Sequence, residues 1–208
     1  MKRVFEDPRT ILIVTGGPGT GKSSMAKGFL DYSENDDIVS VSYDFFKEKE
    51  WDTFGFDNEV QKKRVNEFAL EEFYLTLQKL MWEGRTILAE YPFYQYHRPK
   101  LKALIEESAY SAVTLYLYTD LLTAYERGNR RDGEGGRHPG HLLHRYHPGS
   151  FRPELLQSRD KKELTFEEFK ESIRDRDYDI ALGRRIEVDV TDFSRVSFEN
   201  VYQRILGS

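Results

Sequence analysis

Five short apolar runs punctuate the chain, and most are followed by residues with helical spacing. Ile11-Leu12-Ile13-Val14-Thr15 is almost unbroken by polar side chains, the pattern of a strand covered on both faces. Ser24 to Leu30 behind it predicts a helix. Ile38 to Asp44 predicts a second strand that ends on a carboxylate, and residues 45–58 read as an irregular, substrate-side loop of aromatic and charged residues. From Glu59 to Glu83, Val65, Phe68, Ala69, Phe73, Leu77, Leu80 and Met81 recur near helical spacing, and Gly84 follows as a C-terminal cap. Thr86 to Glu90 is a third strand, again ending on a carboxylate. Pro99 suits the first turn of a helix running to about Ser108. Val113 to Tyr118 predicts a fourth strand, with Asp120 capping the helix after it. Ile186 to Val190 is a fifth, and Phe198, Val201, Tyr202 and Ile205 give a closing helix one apolar face. Alternating strands and helices predict an α/β fold with a parallel sheet. Residues 128–153 interrupt the pattern. They are rich in Gly, Arg, His and Pro, and a mobile lid fits that composition better than core.

Between the first strand and its helix stands Gly16-Gly17-Pro18-Gly19-Thr20-Gly21-Lys22-Ser23, a complete G-x-x-x-x-G-K-[ST] phosphate-binding loop. Glycines let successive backbone N–H groups curl around a phosphate chain, and the helix N-terminus adds partial positive charge. Lys22 can reach the β- and γ-phosphates, and the Ser23 hydroxyl can ligate Mg²⁺. Gly17, Gly19, Thr20, Gly21, Lys22, Ser23 and Ser24 are the candidate contacts to a nucleoside triphosphate, ATP with Mg²⁺.

In an open α/β sheet, ligands bind outside the carboxyl ends of the strands, where this loop, Asp44 and Glu90 all fall. A carboxylate at Asp44 can take the proton from an acceptor hydroxyl as it attacks the γ-phosphate. Glu90 can hold a Mg²⁺-bound water or the acceptor. Lys47 stands in so charged a run that a solvated face is the expectation. Tyr91-Pro92-Phe93 would shape an acceptor pocket. Arg127, Arg130, Arg131 and Arg137 cluster where the lid begins, and guanidinium groups closing over a triphosphate would neutralise charge in the transition state. Of these, Arg130 and Arg131 are the catalytic candidates. His138, His141, His144 and His147 recur every third residue. They could contact substrate or phosphate, line a solvated lid, or bind a metal, although zinc would need three or four ligands on one side with no cysteine to help.

Bulk properties narrow the field. At 208 residues the chain suits one domain, 1–208, with the lid at about 128–153. A net charge of −5 argues against a general nucleic-acid-coating function, which needs a broad basic face. The sequence has no cysteine, no signal-peptide pattern at Met1-Lys2-Arg3 and no apolar run of membrane-spanning length, so the expectation is a cytoplasmic protein without membrane attachment.

Taken together, Gly16 to Ser24, Asp44 with Lys47, Glu90 and the Arg127/Arg130/Arg131 run resemble a group of small phosphate-loop kinases. The group includes zeta-toxin-like kinases, chloramphenicol phosphotransferase and the 5′-kinase domain of polynucleotide kinases. The likeness spans nearly the whole chain in layout. It implies a P-loop NTPase fold with a five-stranded parallel sheet in the order 2-3-1-4-5 and transfer of the ATP γ-phosphate to a hydroxyl, with the Arg/His-rich segment read from its composition as the lid. Tyr178-Asp179 and Val188-Asp189-Val190-Thr191 resemble the end of the domain beside the nucleotide base, which implies Arg127 and Thr191 as further nucleotide contacts. Lys47 replaces the more usual arginine, which weakens the case for a phosphorylated or nucleic-acid acceptor. The His138-Pro139-Gly140-His141 segment has no counterpart from which an acceptor could be transferred.

A small-molecule hydroxyl acceptor is therefore the first expectation. A sugar nucleotide or an RNA end is the second, and a nucleotide-regulated binding protein the third. The oligomeric state is not legible. No N-K-x-D element is present to read a guanine edge, and Asp52-Thr53-Phe54-Gly55 matches the GTPase D-x-x-G by letters alone, without an apolar strand before it. ATP is accordingly expected to turn over faster than GTP. Initial rates with the two nucleotides check this, and equal or GTP-favouring rates would refute it.

Overall fold

The computed structural model describes residues 5, 7–33, 37–158, 161 and 163–207. Met1-Lys2-Arg3 lie outside the described residues. Five strands, β1 (Thr10–Gly16), β2 (Ile38–Ser42), β3 (Thr86–Glu90), β4 (Ser111–Tyr118) and β5 (Arg184–Asp189), form one sheet in the order β2-β3-β1-β4-β5. All four pairings are parallel, with Val14 beside Glu90 and Leu115, and Ser42 beside Glu90. β1 is central, and every one of its residues is buried. Its alternate side chains enter two different cores, as the two-residue period of a strand requires.

Ile11 and Ile13 meet the helix α3 (Glu59–Trp82) through Phe73, Leu77 and Met81, and α4 (Arg98–Glu107) through Leu101 and Ile105. Leu12 and Val14 meet α1 (Lys22–Ser33) through Met25 and Phe29, and α8 (Phe198–Leu206) through Val201 and Ile205. Thus the sheet is covered on both faces, and the carboxyl ends of β1, β2 and β3 emerge on one edge. Asn58 caps α3 by accepting from the Val60 and Gln61 amides. Asp120 caps α5 (Leu121–Gly133) by accepting from the Thr123 amide at 2.9 Å.

Two expectations from the sequence are corrected. The second strand stops at Ser42, and residues 45–58 are largely helical: α2 runs Tyr43–Phe54, with Asp44 in its first turn. Tyr43, Phe46, Glu50 and Trp51 form its buried side at helical spacing. That spacing is masked in the sequence by the charged residues between them. Tyr43 Oη donates to the Asn66 carbonyl at 2.7 Å and Trp51 Nε1 donates to Asn66 Oδ1 at 2.9 Å, which ties α2 to α3.

The 128–153 segment is likewise more than a solvated stretch. It holds the end of α5 and the short helix α6 (Pro139–Leu142). Leu143 and Tyr146 are buried with Trp51, Phe56 and Val65 in a third apolar cluster, and Phe56 pairs with Tyr146 as an antiparallel bridge. Apart from its prolines, the segment offers only Leu142, Leu143, Tyr146 and Phe151 as apolar or aromatic side chains, too few to show periodicity. Beyond it, Thr165 and Glu168 form a capping box on α7 (Phe166–Ile173).

Leu143 is fully buried, so Leu143→Ala should destabilise the fold by about 2–5 kcal/mol through lost transfer energy and the cavity left behind. Urea unfolding checks this. A midpoint unchanged from wild type would mean that the segment contributes nothing to the core.

Candidate active site

The turn from β1 into α1 brings the phosphate loop to the sheet edge. Gly19 has φ +75°, and a Cβ there would lie 2.2 Å from the Ala124 carbonyl oxygen of α5. Gly21 also has φ +75°, and a Cβ would meet the Phe193 ring at 2.4 Å. Both positions therefore need glycine for backbone conformation and for close approach. Thr20 is buried and its hydroxyl donates to the Gly17 carbonyl at 2.8 Å, closing the loop on itself. A Cβ at Gly17 would meet the Tyr178 ring at 3.5 Å, an ordinary contact distance.

Lys22 Nζ lies over the loop, donating to the Gly16 carbonyl at 2.9 Å and the Gly17 carbonyl at 2.8 Å. Burial pushes its pKa down to about 8, a direction that Arg131 and Lys47 reinforce and Glu90 and Asp44 oppose. Ser23 Oγ donates to Glu90 Oε1 at 2.5 Å, joining the first turn of α1 to the end of β3. Burial raises the Glu90 pKa, with Asp44 adding to that, while the Ser23 hydrogen bond and Lys22 pull it back.

Asp44 faces this pair from the start of α2, and Lys47 Nζ sits 2.6 Å from its Oδ1. Lys47 is not on a solvated face: it is mostly buried and also lies over the Tyr43 and Trp51 rings. Burial raises the Asp44 pKa, but the charge and hydrogen bond of Lys47, with the charge of Arg137, outweigh it and hold the carboxyl well below the usual range. Asp44 is thus ionised, as a group accepting a hydroxyl hydrogen must be.

A cleft of about 640 Å³ joins these groups. Gly19, Gly21, Lys22, Ser23, Ser24, Asp44, Lys47 and Glu90 line one side, and Arg127, Arg130, Arg131 and Arg137 the other. The four arginines differ. Arg127 donates to the Val190 carbonyl at 2.7 Å and the Thr191 carbonyl at 3.0 Å and stacks on Phe193, so Arg127 and Thr191 do meet. Arg130 is 70% exposed, beside Glu134 at 3.6 Å, and Arg131 is half-exposed, beside Asp132 at 3.3 Å. Arg137 is more enclosed than Arg130 and Arg131, at 20%, and is bonded to Asp132 and to His141 Nδ1.

The four histidines do not converge. His138 faces Asp52 at 3.1 Å, His141 faces Glu48 at 2.9 Å, His144 faces Glu59 at 3.8 Å and His147 faces Asp57 at 2.9 Å. Among the described residues no group of three or more His, Asp or Glu side chains is gathered to hold a metal ion.

Next to the cleft, sharing Lys47 and Pro92 with it, lies a second cavity of about 960 Å³. Tyr43, Tyr91, Tyr94 and Tyr96 line it together with Lys63 and Arg176. Of the expected pocket-shaping run, Tyr91 and Pro92 reach this cavity, whereas Phe93 is fully buried in the core. Tyr94, Tyr96, Arg176 and Phe193 were not anticipated. The aromatic density of residues 91–97 was the readable signal for the first two; Arg176 and Phe193 come from segments remote in sequence and gave none.

This geometry can be compared with known proteins. The sequence profile described as "Zeta toxin" matches residues 2–158, well over half of the chain. The chain belongs to the zeta toxin family. Its fold resembles that of a candidate kinase from Chloroflexus aurantiacus, with 22% identity, a TM-score of 0.68 and coverage of 94% of this chain and 96% of that one. Chaetomium thermophilum Kti12, solved in complex with ADP-AlF3, is 14% identical with a TM-score of 0.57 over 94% and 96% of the two chains. A tunicamycin resistance protein from Deinococcus radiodurans gives 12%, 0.51, and 95% and 94%. At such identities the likeness establishes the P-loop kinase fold. No curated protein sequence matches. Within the family's fold, the phosphate loop, Asp44 and Glu90 occupy the sheet edge where ligands of open α/β sheets bind.

Lys22→Ala should weaken a non-hydrolysable ATP analogue by about 10- to 100-fold, because hydrogen bonds to charged groups contribute ~1.5–3 kcal/mol. Isothermal titration checks this, and unchanged affinity would mean that the loop is not a nucleotide site.

Proposed function

We propose that the chain transfers the γ-phosphate of ATP to a hydroxyl group of a small-molecule acceptor. The observation that carries the reading is the shared cleft: Lys22 in the phosphate loop, Asp44 on α2, and arginines from α5 and the segment after it all face one space. Residues 1–208 act in this reading as one kinase domain, with the 128–153 segment as its lid. No helix among the described residues is long and apolar enough to cross a membrane, and an ATP-consuming reaction is assigned to the cytoplasm.

The loop amides and Lys22 bind the phosphates and leave the γ-phosphoryl group pointing along the cleft toward α2. Arg127, held by the carbonyls that follow β5 and backed by Phe193, stands where the nucleotide base would lie, with Thr191 beside it. Ser23 and Glu90 are an oxygen donor pair of the kind Mg²⁺ prefers, and would hold it. Bound there, Mg²⁺ would neutralise phosphate charge during transfer.

Asp44 accepts the hydrogen of the acceptor hydroxyl, so that a lone pair of the hydroxyl oxygen faces the γ-phosphorus, and takes the proton as the new P–O bond forms and the bond to the bridging oxygen breaks, releasing ADP. Its depressed pKa suits that order, since the hydroxyl becomes acidic only as it bonds to phosphorus. Lys47 keeps the carboxylate ionised and aimed. Arg131 and Arg137 face the charge that develops between loop and acceptor; the exposure of Arg130 and its neighbour Glu134 leave it a lesser part.

The tyrosine-lined cavity favours one narrower reading of the acceptor. Tyr94 and Tyr96 stack at 5.3 Å with an interplanar angle of 19°, a flat platform beside Arg176 and Lys63. Such a surface suits a ring-bearing anionic molecule such as a sugar nucleotide better than an extended RNA end.

Asp44→Asn keeps the shape and removes the basic oxygen. ATP should bind with near-native affinity while phosphoryl transfer falls by about 10²–10⁴-fold. An ADP-release screen over hydroxyl compounds, sugar nucleotides and RNA finds the acceptor, and single-turnover transfer to it measures the defect. Transfer at the native rate by the Asn variant would move the base elsewhere and favour the nucleotide-regulated binding protein.

A further inference from the structure

Only one of the four histidines is deeply enclosed. His141 is 7% exposed, and both of its ring nitrogens are engaged by different elements. Nε2 lies 2.9 Å from Glu48 Oε1 on α2. Nδ1 lies 3.3 Å from a terminal nitrogen of Arg137. The Trp51 ring packs against the imidazole edge at 4.7 Å between centroids, with the planes at 83°.

These partners dictate one protonation pattern. A guanidinium can only donate, so Nδ1 must present its lone pair to Arg137. A carboxylate accepts, so Nε2 must carry the hydrogen and donate it to Glu48. His141 is therefore a neutral Nε2–H tautomer. Protonating Nδ1 would set two donors against each other and place a second positive charge between Arg137 and Lys47. Burial pushes the imidazole down to about 4; Lys47 and Arg137 act in the same direction, and Glu48 and Asp44 oppose them.

Arg137 has a second anchor in Asp132, which would by itself draw the guanidinium back toward the end of α5. His141 supplies the contact on its other side, through a ring wedged on α2, the helix that carries Asp44. Arg137 lines the cleft, while His141 does not.

We infer that His141 is a positioning residue: its Nδ1 holds Arg137 over the Asp44 end of the cleft while its Nε2–H fastens the same ring to Glu48. The inference rests on the phosphotransfer reading for its purpose, though not for its geometry. It gives the histidine-rich segment a function that neither metal binding nor solvent exposure supplies. It also gives α2 two linked tasks, presenting Asp44 to the acceptor and setting the arginine opposite.

The two halves of the contact separate by substitution. In His141→Asn, Oδ1 takes the place of Nδ1 and can still accept from Arg137, but the reach to Glu48 is lost. In His141→Gln, Nε2 takes the place of the ring Nε2 and still donates to Glu48, but nothing accepts from Arg137. The probes are ADP alone and ADP with aluminium fluoride, a planar stand-in for the transferring phosphoryl group, so no acceptor is needed. His141→Gln should lose about tenfold or more in affinity for the fluoride complex, the scale of one charge-assisted hydrogen bond. Its affinity for ADP alone should stay native, and His141→Asn should lie within about threefold of wild type in both.

Long-range ¹H–¹⁵N NMR of the imidazole in the wild-type protein at pH 7 is the second arm and is independent of turnover. It should show Nε2 as N–H and Nδ1 as a lone-pair nitrogen, with Nδ1 shifting in Arg137→Leu. An Nδ1–H tautomer, equal losses in the two variants, or an ADP affinity that falls as far as that for the fluoride complex would each overturn the inference. Wild-type protein that binds the fluoride complex no more tightly than ADP would instead sink the phosphotransfer reading, with the tautomer still deciding the contact.

Discussion

The phosphate loop is held by neighbours so close that its shape is not free to vary. Gly19 sits against the Ala124 carbonyl near the start of α5, and Gly21 sits under the Phe193 ring. The loop therefore fixes, by contact, where α5 begins its run toward Arg127, Arg130 and Arg131 and where the segment after β5 returns across the site. Arg127 completes the arrangement by bonding to the carbonyls of Val190 and Thr191 while stacking on Phe193. A side chain larger than hydrogen at Gly19 would displace α5 and the arginines with it. The cleft depends on this clamp before it depends on any charged group.

Across the cleft, α2 is organised along one face. Asp44, Glu48 and Asp52 are four residues apart, so they lie one above another on the helix surface. Asp44 takes Lys47, Glu48 takes His141, and Asp52 takes both His138 and the Tyr146 hydroxyl at 2.6 Å. Asp57 and Glu59 extend the series to His147 and His144. The exposed pairs, His144–Glu59 and His147–Asp57, contribute at most ~0.2–1 kcal/mol each. Burying a single leucine side chain contributes ~1.5–3 kcal/mol, so Leu143 and Tyr146 against Trp51 and Phe56 dominate the docking. The polar series sets register: it decides which histidine meets which acid, and so where Arg137 stands.

The periodicity of the chain alone was enough to read the five strands and most of the helices, while the strand order came from the resemblance to the kinase group. β1 could be recognised because a strand covered on both faces must be apolar throughout, and α3 because one face of a long helix must be apolar every third or fourth residue. The phosphate loop was legible for a similar reason, since close backbone approach admits only glycine at set positions. Asp44 and Glu90 could be placed at the site because parallel strands all end on the same edge. In each case the requirement is local to a few consecutive residues, or follows from topology.

What lay beyond the sequence depended on contacts between distant segments. Residues 45–58 looked irregular because the buried side of α2 comprises only Tyr43, Phe46, Glu50 and Trp51 among many charges, and its apolar partners are on α3 and at Leu143 and Tyr146. Lys47 looked solvated because the aromatic rings that cover it are not neighbours in a charged run. The ranking of the arginines was likewise decided by tertiary packing: Arg130, Arg131 and Arg137 are alike as letters, but only Arg137 is enclosed, by Asp132 and a histidine anchored on another helix. The sequence by itself determined the sheet, the loop and the chemical types at the edge, because each follows from a repeating backbone geometry. The environment of each charge was decided by the fold, because burial and pairing are properties of segments brought together from far apart in the chain.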